Sequence, residues 1–139
     1  MAEFLARAIR EGKLKLKPMA TSITFHDPCQ VVRRGGAIED PREVIAALGA
    51  DLREMTDHGE FNWCCGGGGG VISMHRPDPI RYRAFKIKME QVETSGAEMF
   101  VTTCANCRLT FDDGQAHFHW DKTAHSLLEL VADNLAEAP

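Results

Sequence analysis

The sequence has 139 residues, of which 44% are hydrophobic and 26% charged, with a net charge of −4. This length suits one domain with a single core, and the mild acidity gives no electrostatic basis for binding nucleic acid. No apolar run approaches the roughly 20 residues that a membrane-spanning helix needs. The N-terminal residues lack the apolar core of a signal peptide. Five cysteines, two of them adjacent, make a poor disulfide framework and favour a cytoplasmic protein, or one attached to the cytoplasmic face of a membrane or larger complex.

The first half of the chain is predicted to alternate helices and strands. β-branched and aromatic residues mark strands, and a capping carboxylate followed by proline at Asp40-Pro41 marks a helix start. Residues 1–17 are interpreted as a helical tail or as the end of a preceding domain, because Gly12 and Pro18 interrupt the helical pattern. The predicted elements of this half are a helix over 2–10, a strand over 22–25, a helix over 41–48 and a weaker strand over 51–55.

The second half continues the alternation. Asp78-Pro79 opens the longest predicted helix and Gly96 ends it. Its apolar residues are predicted to face inward and its basic residues to form the solvated face. The inward set is Ile80, Ala84, Ile87 and Val92, and the solvated set is Arg81, Arg83, Lys86 and Lys88. The predicted elements are a helical turn over 71–75, a helix over 79–95, a strand over 99–103, a helix from within 104–107 to 113 or 114, a short strand over 118–120 and an amphipathic helix over 123–137.

The alternation predicts an α/β fold, a three-layer domain with a small, mostly parallel sheet and helices on both faces. In such sheets ligands bind outside the carboxyl ends of the strands. The cysteines follow that rule. Cys29 comes just after the first predicted strand, Cys64-Cys65 after the second and Cys104 after the third. We therefore expect three loops to bring thiols to one edge of the sheet.

The middle cysteine pair is followed by a run of five glycines, Gly66 to Gly70. Such a run has a high entropic cost and is typical of backbone that lies against a bound group. Thiolates are soft ligands for iron–sulfur clusters, zinc or copper(I). Four are enough for a cubane cluster or a tetrahedral zinc, and this chain has five. Because an adjacent pair suits two irons of one cluster, the pattern favours a metal–sulfur cluster.

Three segments resemble the parts of the cysteine-rich CCG domain of heterodisulfide reductases. They are HDPC at 26–29, NWCCGGGGG at 62–70 and TCANC at 103–107, and the resemblance covers about residues 14–137. It is strongest to the D-type subunit and its sulfite-reduction relative DsrK, and it implies a CCG domain over 18–139. In that family a non-cubane [4Fe–4S] cluster cleaves a disulfide in two one-electron steps. The resemblance assigns all five cysteines as cluster ligands and catalytic residues: Cys29, Cys64, Cys65, Cys104 and Cys107.

Residues beside the cysteines are candidates for supporting roles. His26 and His75 border the cysteine loops and are candidate proton donors to the thiols formed; a loop or capping role is the alternative. Trp63 is predicted to shield the cluster. Backbone N–H groups of the glycine run are predicted to contact it and tune its potential. The cofactor-binding set is thus Trp63, Gly66, Gly67 and Gly68.

Turnover requires electrons. The D-type relatives carry two ferredoxin-like motifs upstream, and this sequence shows neither, so the resemblance implies a ferredoxin-like donor domain or subunit. A membrane-bound redox complex is a further candidate partner. The expected substrate is a disulfide, in a small molecule or on a carrier protein. Because such clusters are oxygen-labile, aerobic handling can leave zinc or no metal.

Two other interpretations stay open. In one, four of the cysteines form a non-catalytic zinc or cubane module. In the other, Cys104 and Cys107 act as a thioredoxin-like CxxC pair, since they follow a strand and open a helix; this leaves the other three cysteines and the glycines without a role. A dinucleotide site is disfavoured, because the glycine run lacks the spacing G-x-G-x-x-G.

Overall fold

A sheet of four parallel strands lies at the centre of the computed structural model, which describes residues 1–136. The strand order is β2-β1-β3-β4. Every residue of β1 is buried, as expected for a parallel strand covered on both faces. The strands are β1 (Ser22–His26), β2 (Asp51–Leu52), β3 (Met99–Thr102) and β4 (Ala124–Ser126).

Helices cover both faces of this sheet, so the predicted three-layer α/β fold is confirmed. On one face, α1 packs on α2 and α2 contacts α5, and on the other α3 packs on α4. The helices are α1 (Ala2–Arg10), α2 (Glu39–Ala47), α3 (Asp78–Ser95), α4 (Ala105–Phe118) and α5 (Leu127–Asp133). Shorter turns are a π-helical turn at Gln30–Arg34 and 3₁₀ turns at Gly59–Phe61 and Gly68–Ser73.

The residues of the central strands alternate between two cores. Ile23 and Phe25 of β1 enter an aliphatic core with α1, α2 and α5. On the other face, Phe100 of β3 packs with Phe85 and Phe111 of α3 and α4. The second core also contains Cys65 and Cys107. This two-residue period separates a purely apolar layer from a layer that holds reactive side chains.

The orientation of α3 differs from the prediction. Ile80 is 74% exposed and Ile87 39%, whereas Arg81 and Lys88 are buried. The cause is Phe85, whose ring lies where a Cβ on Gly114 of α4 would be, 2.3 Å from its nearest atom. Packing this large ring against α4 turns the helix face that contains residues 81, 85, 88 and 92 inward.

The C-terminal elements also differ from the prediction. Helix α4 continues to Phe118 and ends at His119 in a left-handed conformation with φ 52°, so the strand over 118–120 is wrong. The helix over 123–137 is wrong at its start, because Ala124 pairs with Phe100 as part of β4. The predicted helix is also too long at its end, because α5 ends at Asp133 and Leu135 pairs with Leu16 in a β-bridge; Glu137 itself lies outside the described residues. An amphipathic pattern alone does not distinguish a short edge strand from the first turn of a helix.

Candidate metal centre

Three loops at the carboxyl ends of β1, β2 and β3 bring the cysteines together. Cys29 opens the π-helical turn after β1, Cys104 is the N-cap of α4, and Cys107 lies in the first turn of α4. With Cys65, these residues line one cavity of about 280 Å³, together with Gly67 to Gly70. The sequence prediction that thiols from separate loops meet at one edge of the sheet therefore agrees with the structure.

The thiols differ in burial. Cys65 is 3% exposed and Cys107 4%, and their sulfur atoms and a ring nitrogen of His26 all lie within 4.8 Å of one another. Cys64 is exposed and lies beside the cavity, where its Sγ accepts a hydrogen bond of 3.3 Å from the N–H of Gly66. Four cysteines thus line the cavity, and the fifth, Cys64, precedes one of them in sequence without lining it.

Hydrogen bonding among the thiols raises the pKa of two of them. Hydrogen bonding with Cys65 raises the pKa of Cys64 well above its ordinary value. Hydrogen bonding with Cys107, with a further contribution from burial, raises the pKa of Cys65 to about 11. A metal binds the thiolate form, so metal binding must displace these protons and becomes stronger as pH rises.

Two separate structural requirements explain why glycines occupy these positions: close packing against α4 and left-handed backbone conformations. A Cβ on Gly67 would lie 2.0 Å from Oγ1 of Thr110, so the loop could not approach α4 with any larger residue there. The side-chain amide of Asn106 donates to the carbonyl of Gly67 at 3.2 Å and fixes this contact. Gly69 and Gly70 have φ of 65° and 80°, the left-handed region that glycine adopts without strain.

The three glycines predicted to contact a cofactor have different surroundings. Gly67 and Gly68 line the cavity. A Cβ on Gly68 would meet no atom within 4 Å, whereas one on Gly66 would contact the side chain of Arg81 at 3.4 Å. Gly66 therefore lies against α3, and its N–H is directed at Cys64.

His26 ends β1 and is 1% exposed. Its ring lies edge-on to Phe111 with centroids 4.8 Å apart, and neither ring nitrogen has a hydrogen-bond partner within residues 1–136. Burial, with a further contribution from the charge of Lys88, holds the pKa of His26 well below its usual range. The ring is therefore neutral at physiological pH, with two unpartnered nitrogens beside two thiols. Unpartnered buried polar atoms are costly, which fits a site built for a bound group.

Two sequence candidates lie away from the cavity. The side chain of His75 is fully exposed, and its Nδ1 lies 3.4 Å from a carboxylate oxygen of Asp78. The indole N–H of Trp63 donates to the carbonyl of Ala84 at 3.0 Å, which ties the Cys64 loop to α3. Neither residue lines the cavity.

Sequence reasoning missed a buried ion pair that holds the cysteine loops in place. Asp27 is fully buried and accepts two hydrogen bonds from Arg42, at 3.0 and 2.9 Å. Asp27 also accepts the backbone N–H of Gly59 at 2.6 Å. Although burial lowers the pKa of Arg42, its hydrogen bonds to Asp27 and Glu54 raise it above the ordinary value. Two features of the sequence could have indicated this pair: Asp27 lies two residues before Cys29, and Arg42 directly follows the helix proline Pro41.

The donor set fits an iron–sulfur cluster. It consists of soft sulfur ligands from three loops around one cavity, and glycine backbone forms one wall. This wall is not packed against other residues, because Cβ atoms on Gly68, Gly69 or Gly70 would meet nothing within 4 Å. The five cysteines exceed the four ligands that a tetrahedral zinc needs.

Comparison with known proteins agrees with this geometry. A family model described as the CCG cysteine-rich domain matches residues 23–112, which include every cysteine of the cavity. The chain belongs to this family. The matched segment of this CCG domain begins in β1 and ends within α4, so it contains the three loops described above.

Relatives of this CCG domain are redox proteins. The chain is 39% identical over 138 residues to a probable membrane-anchored ferredoxin of Chromohalobacter salexigens, covering 98% of this chain and 20% of that protein. It is 33% identical to the D-type subunit of the dihydromethanophenazine:CoB–CoM heterodisulfide reductase of Methanosarcina barkeri, covering 97% and 33%. It is 36% identical to an EtfAB:quinone oxidoreductase of Syntrophomonas wolfei, covering 81% and 16%. The CCG domain thus spans a third or less of the length of each of these relatives.

Within residues 1–136, none of the helices has both the length and the hydropathy that spanning a membrane requires.

Proposed function

We propose that this CCG domain binds an iron–sulfur cluster and is the catalytic part of a disulfide-reducing oxidoreductase of the heterodisulfide reductase type. The observation that carries the proposal is the convergence of Cys29, Cys65, Cys104 and Cys107 from separate loops on one cavity, with Cys64 beside it. The names of the relatives support a redox role, since they include a heterodisulfide reductase subunit, a quinone oxidoreductase and a ferredoxin.

All five cysteines are proposed as ligands of a non-cubane [4Fe–4S] cluster. The number of thiols and the adjacent pair Cys64-Cys65 support this type over a cubane, which needs four. When bound, such a cluster supplies the electrons that cleave a substrate S–S bond in two one-electron steps. Reduction of a disulfide to two thiols also consumes two protons.

The residues of the chain shape the site around that chemistry. Pro28 and Val31 provide apolar walls beside Cys29, and the glycine run leaves space at the opposite wall. His26 is held neutral by burial, so one of its ring nitrogens carries a hydrogen that it can donate to a sulfur atom. We propose that His26, beside the thiols of Cys65 and Cys107, passes its ring hydrogen to a substrate sulfur while its other ring nitrogen takes up a proton, so that the ring stays neutral. His75 is the weaker candidate, because its side chain is fully exposed and lies beside Asp78.

The proposal includes partners. Electrons come one at a time from a ferredoxin-like donor domain or subunit, in agreement with a ferredoxin among the relatives. The substrate is a disulfide of a small molecule or of a carrier protein. The domain is proposed to act in the cytoplasm or at the cytoplasmic face of a membrane-bound redox complex.

One observation favours a second candidate function. A ring nitrogen of His26 and the sulfurs of Cys65 and Cys107 lie within 4.8 Å of one another, close enough for one zinc ion with a fourth ligand from the cavity. In this alternative the domain is a non-catalytic zinc module, and Cys29 or Cys104 completes a tetrahedral site.

Anaerobic reconstitution separates the two. The protein is incubated with iron and sulfide, desalted, and assayed for bound iron, acid-labile sulfide and electron paramagnetic resonance with and without a thiol. The proposal predicts about four irons and four sulfides per chain, a signal that changes when thiol is added, and loss of that signal in Cys29→Ala and Cys64→Ala alike. A colourless protein that retains one zinc, and retains it in Cys64→Ala, would instead support the zinc module.

A further inference from the structure

Lys88 on α3 is completely buried, although its position in the sequence suggested a solvated lysine. Its ammonium donates to Oε1 of Gln91 at 2.8 Å and touches Sδ of Met55 at 3.6 Å. Gln91 in turn donates to a carboxylate oxygen of Asp57 at 2.5 Å. Within residues 1–136, the ammonium is thus hydrogen-bonded to a neutral amide and a thioether.

This arrangement is costly for the folded protein by itself. A buried ammonium is unfavourable unless a charged partner and hydrogen bonds compensate it. Burial lowers the pKa of Lys88 to about 8, despite opposing contributions from the charges of Asp57 and Asp27. A methionine of similar length would fill the same space without that cost, so the lysine needs a reason to be there.

The cysteine site lies within reach of this charge. Met55, which contacts the ammonium, belongs to the same buried core cluster as Cys65 and Cys107. The charge of Lys88 lowers the pKa of His26. In return, ionised Cys65 and Cys64 would raise the pKa of Lys88. The ammonium on α3 therefore contacts the buried core cluster that also contains Cys65 and Cys107.

We propose that Lys88 is the buried counter-charge of the cluster site, a positioning residue that favours cluster loading and raises its reduction potential. This inference rests on the proposed function. Thiolate ligands and sulfides leave such a cluster with a net negative charge, and each added electron increases it. A fixed positive charge in a low-dielectric core stabilises the reduced form more than the oxidised form.

The test compares three full-length proteins reconstituted anaerobically: wild type, Lys88→Met and Lys86→Met. Lys86 is an exposed lysine on the same helix, so its variant loses the same charge at the surface. Redox titration followed by electron paramagnetic resonance gives the midpoint potential. We expect Lys88→Met to lower it by about 59 mV or more, a tenfold change for a one-electron couple, and Lys86→Met to leave it unchanged.

A second readout distinguishes loss of charge from loss of fold. The double variant Lys88→Met, Gln91→Leu also removes the amide that the single variant leaves without a donor. We expect its metal-free form to melt at a higher temperature than the metal-free wild type. We also expect cluster loading to raise its melting temperature by less than it raises that of the wild type. A lysine that only supports the fold would give the opposite result, a lower melting temperature without metal and an unchanged potential.

The outcomes separate the two proposals. If the wild type binds no iron and sulfide, the proposed function is wrong and the role of Lys88 is wrong with it. If the wild type and both single variants load a cluster with the same midpoint potential, the cluster assignment stands and the counter-charge role alone is overturned.

Discussion

The two faces of the sheet bury different chemistry. The face covered by α1, α2 and α5 is filled with aliphatic side chains and Phe25. The face covered by α3 and α4 buries His26, Arg81 and Lys88 together with two thiols. An apolar layer stabilises the fold at little electrostatic cost, whereas buried ionisable groups reduce stability unless they are paired. The difference indicates that the second face is shaped by what it binds.

Arg81 and Lys88 show this contrast within one helix. Arg81 pairs with Asp78 at 2.8 Å and Asp113 at 2.6 Å, so its charge is compensated by the protein itself. Lys88 is hydrogen-bonded to the neutral amide of Gln91. Arg81 therefore has two carboxylates of the protein as direct counter-ions. Lys88 is linked to a carboxylate, that of Asp57, only through the amide of Gln91, as expected for a charge whose counter-ion is a ligand.

The apolar face should respond most strongly to truncation. Phe25 is fully buried, so Phe25→Ala removes a large side chain and leaves a cavity. We expect a loss of about 4 kcal/mol in the free energy of unfolding, measured by urea denaturation of the metal-free protein. Phe4→Ala is the control, because Phe4 is 57% exposed, and a change within about 0.5 kcal/mol is expected there. Equal effects at both positions would contradict the assignment of this layer as the stabilising core.

The face covered by α3 and α4 should gain stability when the buried charge of Lys88 is removed. The pKa of Lys88 is lowered from 10.5 to about 8, so between these values the folded state binds fewer protons than the unfolded state. The cost is fully present below about pH 8 and disappears as pH rises to 10.5. The free energy of unfolding of the metal-free double variant Lys88→Met, Gln91→Leu should therefore be up to about 3 kcal/mol higher than that of the wild type at pH 7. Near pH 10.5 the two values should be equal.

Chemical denaturation across this pH range checks that prediction. The ionisable groups that act on the ammonium are Asp57 and Asp27 and the thiols Cys64 and Cys65, with His26 also within its field. All of them are present in both proteins, so a difference between the two proteins reports Lys88 together with the shift that its charge causes in His26. A difference between the two proteins that is the same at pH 7 and pH 10.5 would show that the charge of Lys88 is not its cause.

The pH dependence of metal affinity sharpens the comparison, because two thiols of this face have a raised pKa. With the pKa of Cys65 raised to about 11 and that of Cys64 raised further, each must lose a proton to bind metal. If both are ligands, these two thiols contribute a hundredfold increase in zinc affinity per pH unit between about pH 6.5 and 8.5. Competition with a chromophoric chelator measures the slope, which Cys64→Ala should lower by one power of ten. An unchanged slope would remove Cys64 from the ligand set.

The smallest expected effect concerns the glycine wall. In Gly67→Ala the new methyl group meets Oγ1 of Thr110, and this overpacking should cost about 2 kcal/mol in the metal-free protein. Adding Thr110→Ala removes that oxygen and should restore most of the loss. Gly68→Ala is the matched control, since its Cβ meets no atom within 4 Å. Thermal unfolding of the four proteins decides whether close approach or backbone freedom accounts for Gly67.

Much of the fold could be predicted from local patterns. The pairs Asp40-Pro41 and Asp78-Pro79 lie within the first turns of α2 and α3 and so indicate where these helices start, although neither aspartate is the N-cap. The order of strands and helices was sufficient to predict a parallel sheet with cysteines at one edge. The predicted strand over 51–55 is shorter in the structure, Asp51–Leu52, because only these residues pair with β1.

The site was predicted less completely. Cys29 and His26 lie at the end of a strand that is easy to identify; Cys29 lines the cavity and His26 lies beside two of its thiols. Trp63 and His75 are close to the cysteines along the chain, but their side chains bond to Ala84 and Asp78 instead. Adjacency in sequence fixes the position of the backbone and not the direction of a side chain in a loop.

The sequence by itself determined which chemistry is available and where it lies along the chain: five thiols after three strands, with glycine beside the central pair. Only the tertiary structure decided which side chains share a buried space with those thiols. Lys88 enters that space because Phe85 packs into Gly114 of another helix, and Asp27 is fixed by Arg42 of a third. Such contacts depend on the shapes of segments distant in sequence, which a local pattern of apolar and polar residues does not encode.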